Sequence, residues 1–188
     1  MLRIMFVLAV VAVVASCQAG EQTEHQNVKR EVGKVMSIEI ESSAFEEGGI
    51  IPSKHTCDGE NVSPALSWSG VPEGTKSLAL ICDDPDAPVG TWVHWVIYGI
   101  PAETTGLPEA VPAEKTVLEC AKQGITDFKR IGYRGPCPPG GAPHRYFFKL
   151  YALDTELELD SGAAKKQLLT AMEGHILAQG QLMGKYGR

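Results

Sequence analysis

Several signatures of common functional classes are missing from this chain of 188 residues. No Cys-x-x-Cys spacing occurs, which argues against a zinc knuckle or a thioredoxin-like motif. Neither a Gly-x-Ser-x-Gly elbow nor a Gly-x-x-x-x-Gly-Lys phosphate loop occurs, so no catalytic nucleophile is indicated. The net charge is −6 and Lys and Arg are not clustered, which argues against nucleic acid as a partner. These absences predict a protein that is not an enzyme and carries no cofactor.

A hydrophobic run long enough to span a membrane is missing as well. The apolar segment 4–15 follows Arg3 and is shorter than the roughly 20 residues of a transmembrane helix, so it predicts a signal peptide. Val14-Ala15-Ser16-Cys17 resembles a bacterial lipobox, which predicts cleavage before Cys17 and a lipid on its thiol. The alternative is an ordinary secretory signal that is cut nearby, for example after Ala19. The sequence therefore predicts an exported protein, lipid-anchored to the cell envelope at the periplasmic face of the outer membrane or at the cell surface.

Composition divides the chain into three segments: a signal peptide at 1–16, a flexible tether at 17–35 and one folded domain at 36–188. The tether is polar and charged and has no hydrophobic period, so it cannot bury enough apolar surface to fold. The remaining residues, about 150, suit one domain with a sizeable core.

Short apolar segments bounded by turn residues predict a mainly β domain. The expected strands are Met36–Ile40, Ala65–Trp68, Ser77–Cys82, Trp92–Ile100 and His144–Leu153. Residues 105–143 have many Gly and Pro and little periodicity, and a loop of this length in a compact domain is usually functional. After residue 162, apolar residues recur at helical spacing, which predicts two short helices separated near Gly174.

Four cysteines remain besides Cys17, and in an exported protein they can form disulfides with three possible connectivities. Cys57 and Cys137 both lie in loops rich in Gly and Pro, so we favour a disulfide between them. Cys82 ends an apolar strand and fits equally well as a buried thiol.

The most informative segment is a loop rich in Gly and Pro, residues 132–143, that leads directly into an apolar strand. This strand begins with a His-Arg-Tyr triplet, and because side chains alternate in a strand, His144 and Tyr146 point to the same face. Two polar rings on one face of an apolar strand must find partners or line a pocket.

A second polar segment is a candidate for the other half of the same site. Asp84 and Asp86 follow the apolar run 78–81, and His94 lies early in the next predicted strand. Proline restricts the backbone on both sides of itself, so these carboxylates are held in a stiff turn.

These segments carry a resemblance to a known family. The motifs are DPDAP at 84–88, HW at 94–95, GP and PP within 135–139, HRY at 144–146, Thr56-Cys57-Asp58-Gly59 and the tail 172–180. In this order, over about residues 36–186, they resemble the phosphatidylethanolamine-binding protein family and most of all its bacterial branch, often called Raf kinase inhibitor-like.

The resemblance implies a β-sandwich core with short peripheral C-terminal helices and a surface pocket for a phosphate-bearing small anion or a phospholipid headgroup. The residues that match the family's pocket are Asp84, Asp86, His94, His144 and Tyr146, with Pro85, Trp92, Gly135 and Pro136 as candidate walls. Imidazole and phenol groups donate hydrogen bonds to phosphate oxygens. A histidine that titrates near neutral pH would make phosphate affinity fall as pH rises.

Other interpretations of these residues stay open. Either aspartate could cap the turn through backbone N–H groups, and Tyr146 could be ordinary sheet packing. Two histidines and a carboxylate can also form a metal triad, although the family is not characteristically a metalloenzyme. The alternative function is an interaction protein that inhibits or modulates a kinase or a protease, as eukaryotic relatives do. Such an inhibitor needs a larger complementary surface, typically about 800 Å² per partner.

Overall fold

A computed structural model describes residues 36–188, so the predicted signal peptide, tether and lipidation at Cys17 lie outside the described residues. The described elements are β1 (Met36–Ser37), β2 (Glu39–Ser42), β3 (Leu66–Ser69), β4 (Ser77–Asp84), β5 (Trp92–Pro101), β6 (Gly106–Leu107), β7 (Thr116–Val117), β8 (Ala121–Gln123), β9 (His144–Leu153), α1 (Lys165–Met172) and β10 (Ile176–Tyr186). A 3₁₀ turn occupies Ser53–His55. In the described residues no helix is long and apolar enough to cross a membrane. The predicted mainly β class is confirmed.

The strands form two sheets that pack face to face. The larger sheet has the order β1-β10-β9-β4-β5-β8-β7, and the smaller has the order β2-β3-β6. Within the larger sheet β1 runs parallel to β10, whereas the other neighbours are antiparallel. The chain passes from one sheet to the other at Ile38, so the strand predicted at 36–40 is divided between β1 and β2.

The central strand β4 is buried along its whole length, because both faces of the larger sheet are covered. Leu78, Leu80 and Cys82 pack toward the smaller sheet. Ala79 and Ile81 pack on the opposite face, in a cluster that includes residues of α1. A strand that is covered on both faces has a continuous run of apolar residues, as the sequence shows at 78–81.

The predicted second helix of the tail is wrong. The helix α1 ends at Met172, and the chain turns at Gly174, whose φ of +82° is a left-handed conformation that glycine adopts without a steric penalty. Residues 176–186 then form β10, which pairs with β9 from Leu153 to His144. Gly180 and Gly184 interrupt the alternation of apolar and polar side chains along this strand, so the sequence did not indicate a strand here.

A disulfide joins Cys57 and Cys137, the pair favoured from the sequence, with Cα atoms 5.4 Å apart. Cys82 is a buried thiol and Cys120 an exposed one. The disulfide ties the segment after the 3₁₀ turn to the loop that leads into β9. It therefore anchors that loop to a segment that lies 80 residues earlier in the sequence.

Candidate functional site

A cavity of about 220 Å³ opens where β4 ends and β9 begins. Of the predicted pocket residues, Asp84, Trp92, His94, His144 and Tyr146 line it. The other predicted members, Pro85, Asp86, Gly135 and Pro136, are not among its lining residues. The structure therefore brings together five of the nine predicted positions, and the four others lie outside the lining of the cavity.

Asp84 organises one side of the cavity with both of its carboxylate oxygens. Oδ2 accepts a hydrogen bond from Nδ1 of His144 at 2.7 Å, and Oδ1 accepts one from the backbone N–H of Asp86 at 2.8 Å. The Asp84 side chain is only 4 % exposed. Asp84 therefore both caps the turn, as the sequence allowed for either aspartate, and orients His144.

Asp86 turns away from the cavity. Its carboxylate accepts hydrogen bonds from Nε and Nη2 of Arg145 at 2.9 and 2.7 Å, and from the Arg145 backbone N–H at 2.9 Å. The Arg145 guanidinium lowers the pKa of Asp86 to about 2. Asp86 is therefore not a pocket residue as predicted, because Arg145 points to the face of β9 opposite His144 and holds the Asp86 carboxylate there.

His94 reaches the cavity because it lies in a β-bulge. Cys82 pairs with Trp95 and Asp83 pairs with Val93, so His94 is the extra residue between two normal pairs. A bulge re-aims side chains and is common beside functional sites. Nδ1 of His94 donates to the carbonyl of Arg134 at 2.6 Å. Burial lowers the pKa of His94 below its usual value, which favours the neutral ring at pH 7.

Tyr146 is completely buried, and its hydroxyl has no hydrogen-bond partner among residues 36–188. Its ring packs edge-on against the ring of His94, with centroids 5.2 Å apart. Burial raises the pKa of Tyr146 strongly and the negative charge of Asp84 raises it further, so the hydroxyl stays protonated. A buried hydroxyl without a partner costs about 1–3 kcal/mol, which a ligand oxygen in the cavity would recover.

The loop 135–139 contributes a wall, but through different residues than predicted. Cys137, Pro138 and Pro139 line the cavity. Gly135 donates its N–H to Oδ1 of Asn61 at 2.7 Å, and the carbonyl of Pro136 accepts from the Cys57 N–H at 3.0 Å. These two residues hold the loop in place, because their backbone groups face the segment after the 3₁₀ turn.

Sequence reasoning missed Phe128, which forms another wall. Its ring packs edge-on against His94 and Trp92, with centroids 5.2 and 5.5 Å apart. The preceding residue, Asp127, accepts the Val93 N–H at 2.8 Å and donates its own N–H to the Val93 carbonyl at 3.1 Å. Phe128 lies in the long segment without periodicity, so no sequence pattern marked it.

The chemistry of the site follows from its hydrogen bonds. Nδ1 is committed in both histidines, to the Arg134 carbonyl in His94 and to the Asp84 carboxylate in His144. A neutral ring with Nδ1–H offers an acceptor at Nε2, whereas a protonated ring offers a donor. Within the described part of the chain, no group of three or more His, Cys, Asp or Glu side chains is placed to hold a metal ion.

Comparison with known proteins gives a consistent set of relatives. The family model described as phosphatidylethanolamine-binding protein matches residues 41–187. A UPF0098 protein of Methanothermobacter thermautotrophicus is 56% identical over 151 residues, which are 80% of this chain and 99% of that protein. A UPF0098 protein of Aquifex aeolicus is 52% identical over 153 residues, 80% of this chain and 89% of that protein.

Two solved structures share the fold. The phosphatidylethanolamine-binding protein homologue CT736 from Chlamydia trachomatis superposes with a TM-score of 0.74 at 43% identity, covering 81% of this chain and 98% of that one. Escherichia coli YbcL, described as a member of the mammalian PEBP family, superposes with a TM-score of 0.76 at 37% identity, covering 81% and 99%.

Proposed function

The chain belongs to the phosphatidylethanolamine-binding protein family, and we propose that it binds a phosphate-bearing small anion or a phospholipid headgroup in the cavity described above. The observation that carries this proposal is the buried hydroxyl of Tyr146, which has no partner among residues 36–188. Tyr146, His94 and His144 line the same small space. Phosphate oxygens accept from the hydroxyl and from a protonated imidazole, and a protonated phosphate donates to the Nε2 of a neutral one.

The size of the cavity favours a headgroup over a larger ligand. Pockets for drug-sized molecules measure about 300–1,000 Å³, whereas this one is about 220 Å³. The mouth is apolar: Ala87, Pro88 and Val89 line it, and Val89 is 78% exposed. A phosphate with a short organic substituent fits such a site, with the phosphate inside and the substituent at the mouth.

We propose binding rather than catalysis. The lining contains no Ser, Thr or Lys, and the thiol of Cys137 is consumed in the disulfide. Neither histidine therefore has a serine, threonine, lysine or thiol nucleophile of the lining to activate.

Export and a lipid anchor at Cys17 stay part of the proposal. The disulfide supports export, because disulfides persist mainly outside the reducing cytosol. Mass spectrometry of the membrane-extracted protein tests the anchor: an N-terminal diacylglyceryl cysteine is expected, and an unmodified N-terminus after residue 17 contradicts it.

The proposal is tested by titrating the purified protein with inorganic phosphate and glycerophosphoethanolamine in a calorimeter. We expect His144→Ala to weaken binding about 10- to 100-fold, because it removes a hydrogen bond to a charged ligand. His175→Ala is the matched control: His175 also donates Nδ1 to an aspartate, Asp154, at 2.7 Å, but lies on the surface outside the cavity. Equal binding by the two variants would contradict the proposed site.

Binding should strengthen as the pH falls from 8 toward 5, and level off only below the lowered pKa of the unliganded His94. Burial lowers the pKa of His94, so the unliganded ring is neutral, while a bound anion favours the protonated ring. Binding then takes up a proton, and affinity rises by up to about tenfold per pH unit for one proton. The measurement uses a phosphodiester between pH 5 and 8, because a phosphomonoester itself titrates near pH 6. A pH-independent affinity would show that His94 does not contact the anion.

A further inference from the structure

A second pocket, of about 350 Å³, lies between the turn 125–129 and the first turn of α1, and we call it the helix-side pocket. It is separate from the cavity, because adjacent residues of the same strand and of the same turn line the two spaces. Val93 lines the helix-side pocket and His94 the cavity. Likewise Asp127 lines the helix-side pocket and Phe128 the cavity.

The helix-side pocket combines an apolar wall with ammonium groups. Val93, Ile125 and Leu169 supply apolar surface, and Leu169 is 40% exposed although it is a large aliphatic residue. Lys129 and Lys166 also line the pocket, and neither side chain has a hydrogen-bond or ion-pair partner among residues 36–188. Positive charge and uncovered apolar surface thus occur together in one concave site.

The charged side chains that line the helix-side pocket are mainly positive, whereas the net charge of the whole chain is negative. Its third ammonium group, Lys165, is bound to the buried carboxylate of Asp83, and its one lining carboxylate, Asp127, accepts the Val93 N–H. Two lysines that are unpaired among residues 36–188, Lys129 and Lys166, therefore face one carboxylate, in a protein whose net charge is −6. A ligand attracted to this site carries negative charge.

We propose that the helix-side pocket binds a free single-chain anionic amphiphile, namely a medium-chain fatty carboxylate. The carboxylate lies between Lys129 and Lys166, and the hydrocarbon chain covers Leu169 and the apolar wall. The volume of about 350 Å³ is near the lower end for small-molecule sites, so it suits one hydrocarbon chain rather than two. The site is independent of phosphate binding in the cavity.

The test titrates the purified protein with straight-chain carboxylates from acetate to decanoate, below micelle-forming concentrations, by calorimetry. We expect affinity to rise about two- to fourfold for each added methylene that is buried, and octanoate to bind where octylammonium does not. The double variant Lys129→Gln/Lys166→Gln should weaken octanoate binding about fivefold or more, since two partly exposed ion pairs are lost.

Two comparisons make the result decisive. Lys76→Gln/Lys115→Gln changes the net charge equally but outside the pocket lining, so octanoate affinity should stay the same. His144→Ala should also leave it unchanged, even though that variant tests phosphate binding in the cavity. The proposal is overturned if octanoate does not bind, if acetate or octylammonium binds as well as octanoate, if the Lys129/Lys166 variant has no effect, or if His144→Ala abolishes octanoate binding.

Discussion

Replacing both halves of the disulfide, Cys57→Ala/Cys137→Ala, should lower the free energy of unfolding by about 4–5 kcal/mol. The two residues are 80 positions apart, and closing a loop of that length removes much conformational entropy from the unfolded chain. For a domain of this size the loss corresponds to a melting temperature lower by about 10–18 °C. Urea unfolding of the variant and the parent protein measures the difference directly.

A reductant supplies the control for this prediction. The parent protein should lose a similar amount of stability in the presence of a phosphine reductant, whereas the double variant should not respond. Cys120→Ala, which removes an exposed thiol and leaves the disulfide intact, should change stability by less than about 0.5 kcal/mol. A loss below about 1 kcal/mol in the double variant would mean that the disulfide does little to hold the loop.

Much of the fold could be predicted from local patterns. Strands β4, β5 and β9 are long apolar runs bounded by turn residues, and their predicted starts agree with the structure. The motif order along the chain indicated the family, which the comparison confirms. Both predictions rest on residues that are adjacent in sequence. A strand that is buried on both faces, for example, is a continuous run of apolar residues.

The tail could not be predicted in the same way. Glycines at 180 and 184 replace side chains in β10 and break its alternation, while the preceding residues keep helical spacing. A Cβ on Gly180 would collide with the carbonyl of Ile38, and one on Gly184 with the side chain of Ile51. These glycines are set by tertiary contacts with distant segments, and such contacts are not visible in a short window of sequence.

The site was predictable in its residue types and less so in its geometry. His144 and Tyr146 share a face because of simple alternation, and both line the cavity. His94 lines it because of a bulge, which depends on the register with β4. Phe128 joins because its neighbour Asp127 forms two hydrogen bonds with the backbone of Val93, 34 residues away in sequence. Ligand binding by these residues stays a prediction.

The sharpest test of the geometry compares two aspartates that the sequence could not distinguish. Asp84→Ala removes a buried carboxylate that accepts from both His144 and the Asp86 N–H, so we expect about 3 kcal/mol of lost stability. Phosphate binding should weaken about 100-fold, because the His144 ring loses the partner that orients it. This loss of orientation outweighs the removal of a negative charge beside the anion.

Asp86→Ala is the matched variant at the next carboxylate of the same turn. The Asp86–Arg145 pair is partly exposed, with side chains 29% and 50% accessible, so its loss should cost at most about 1 kcal/mol and change phosphate affinity less than about twofold. If Asp84→Ala does not fold, Asp84→Asn keeps an acceptor for the turn and should still weaken binding at least about tenfold. Unfolding curves and phosphate calorimetry on the three variants give both quantities. Equal effects of the Asp84 and Asp86 substitutions on affinity would contradict the assignment of Asp84 to the cavity and Asp86 to Arg145.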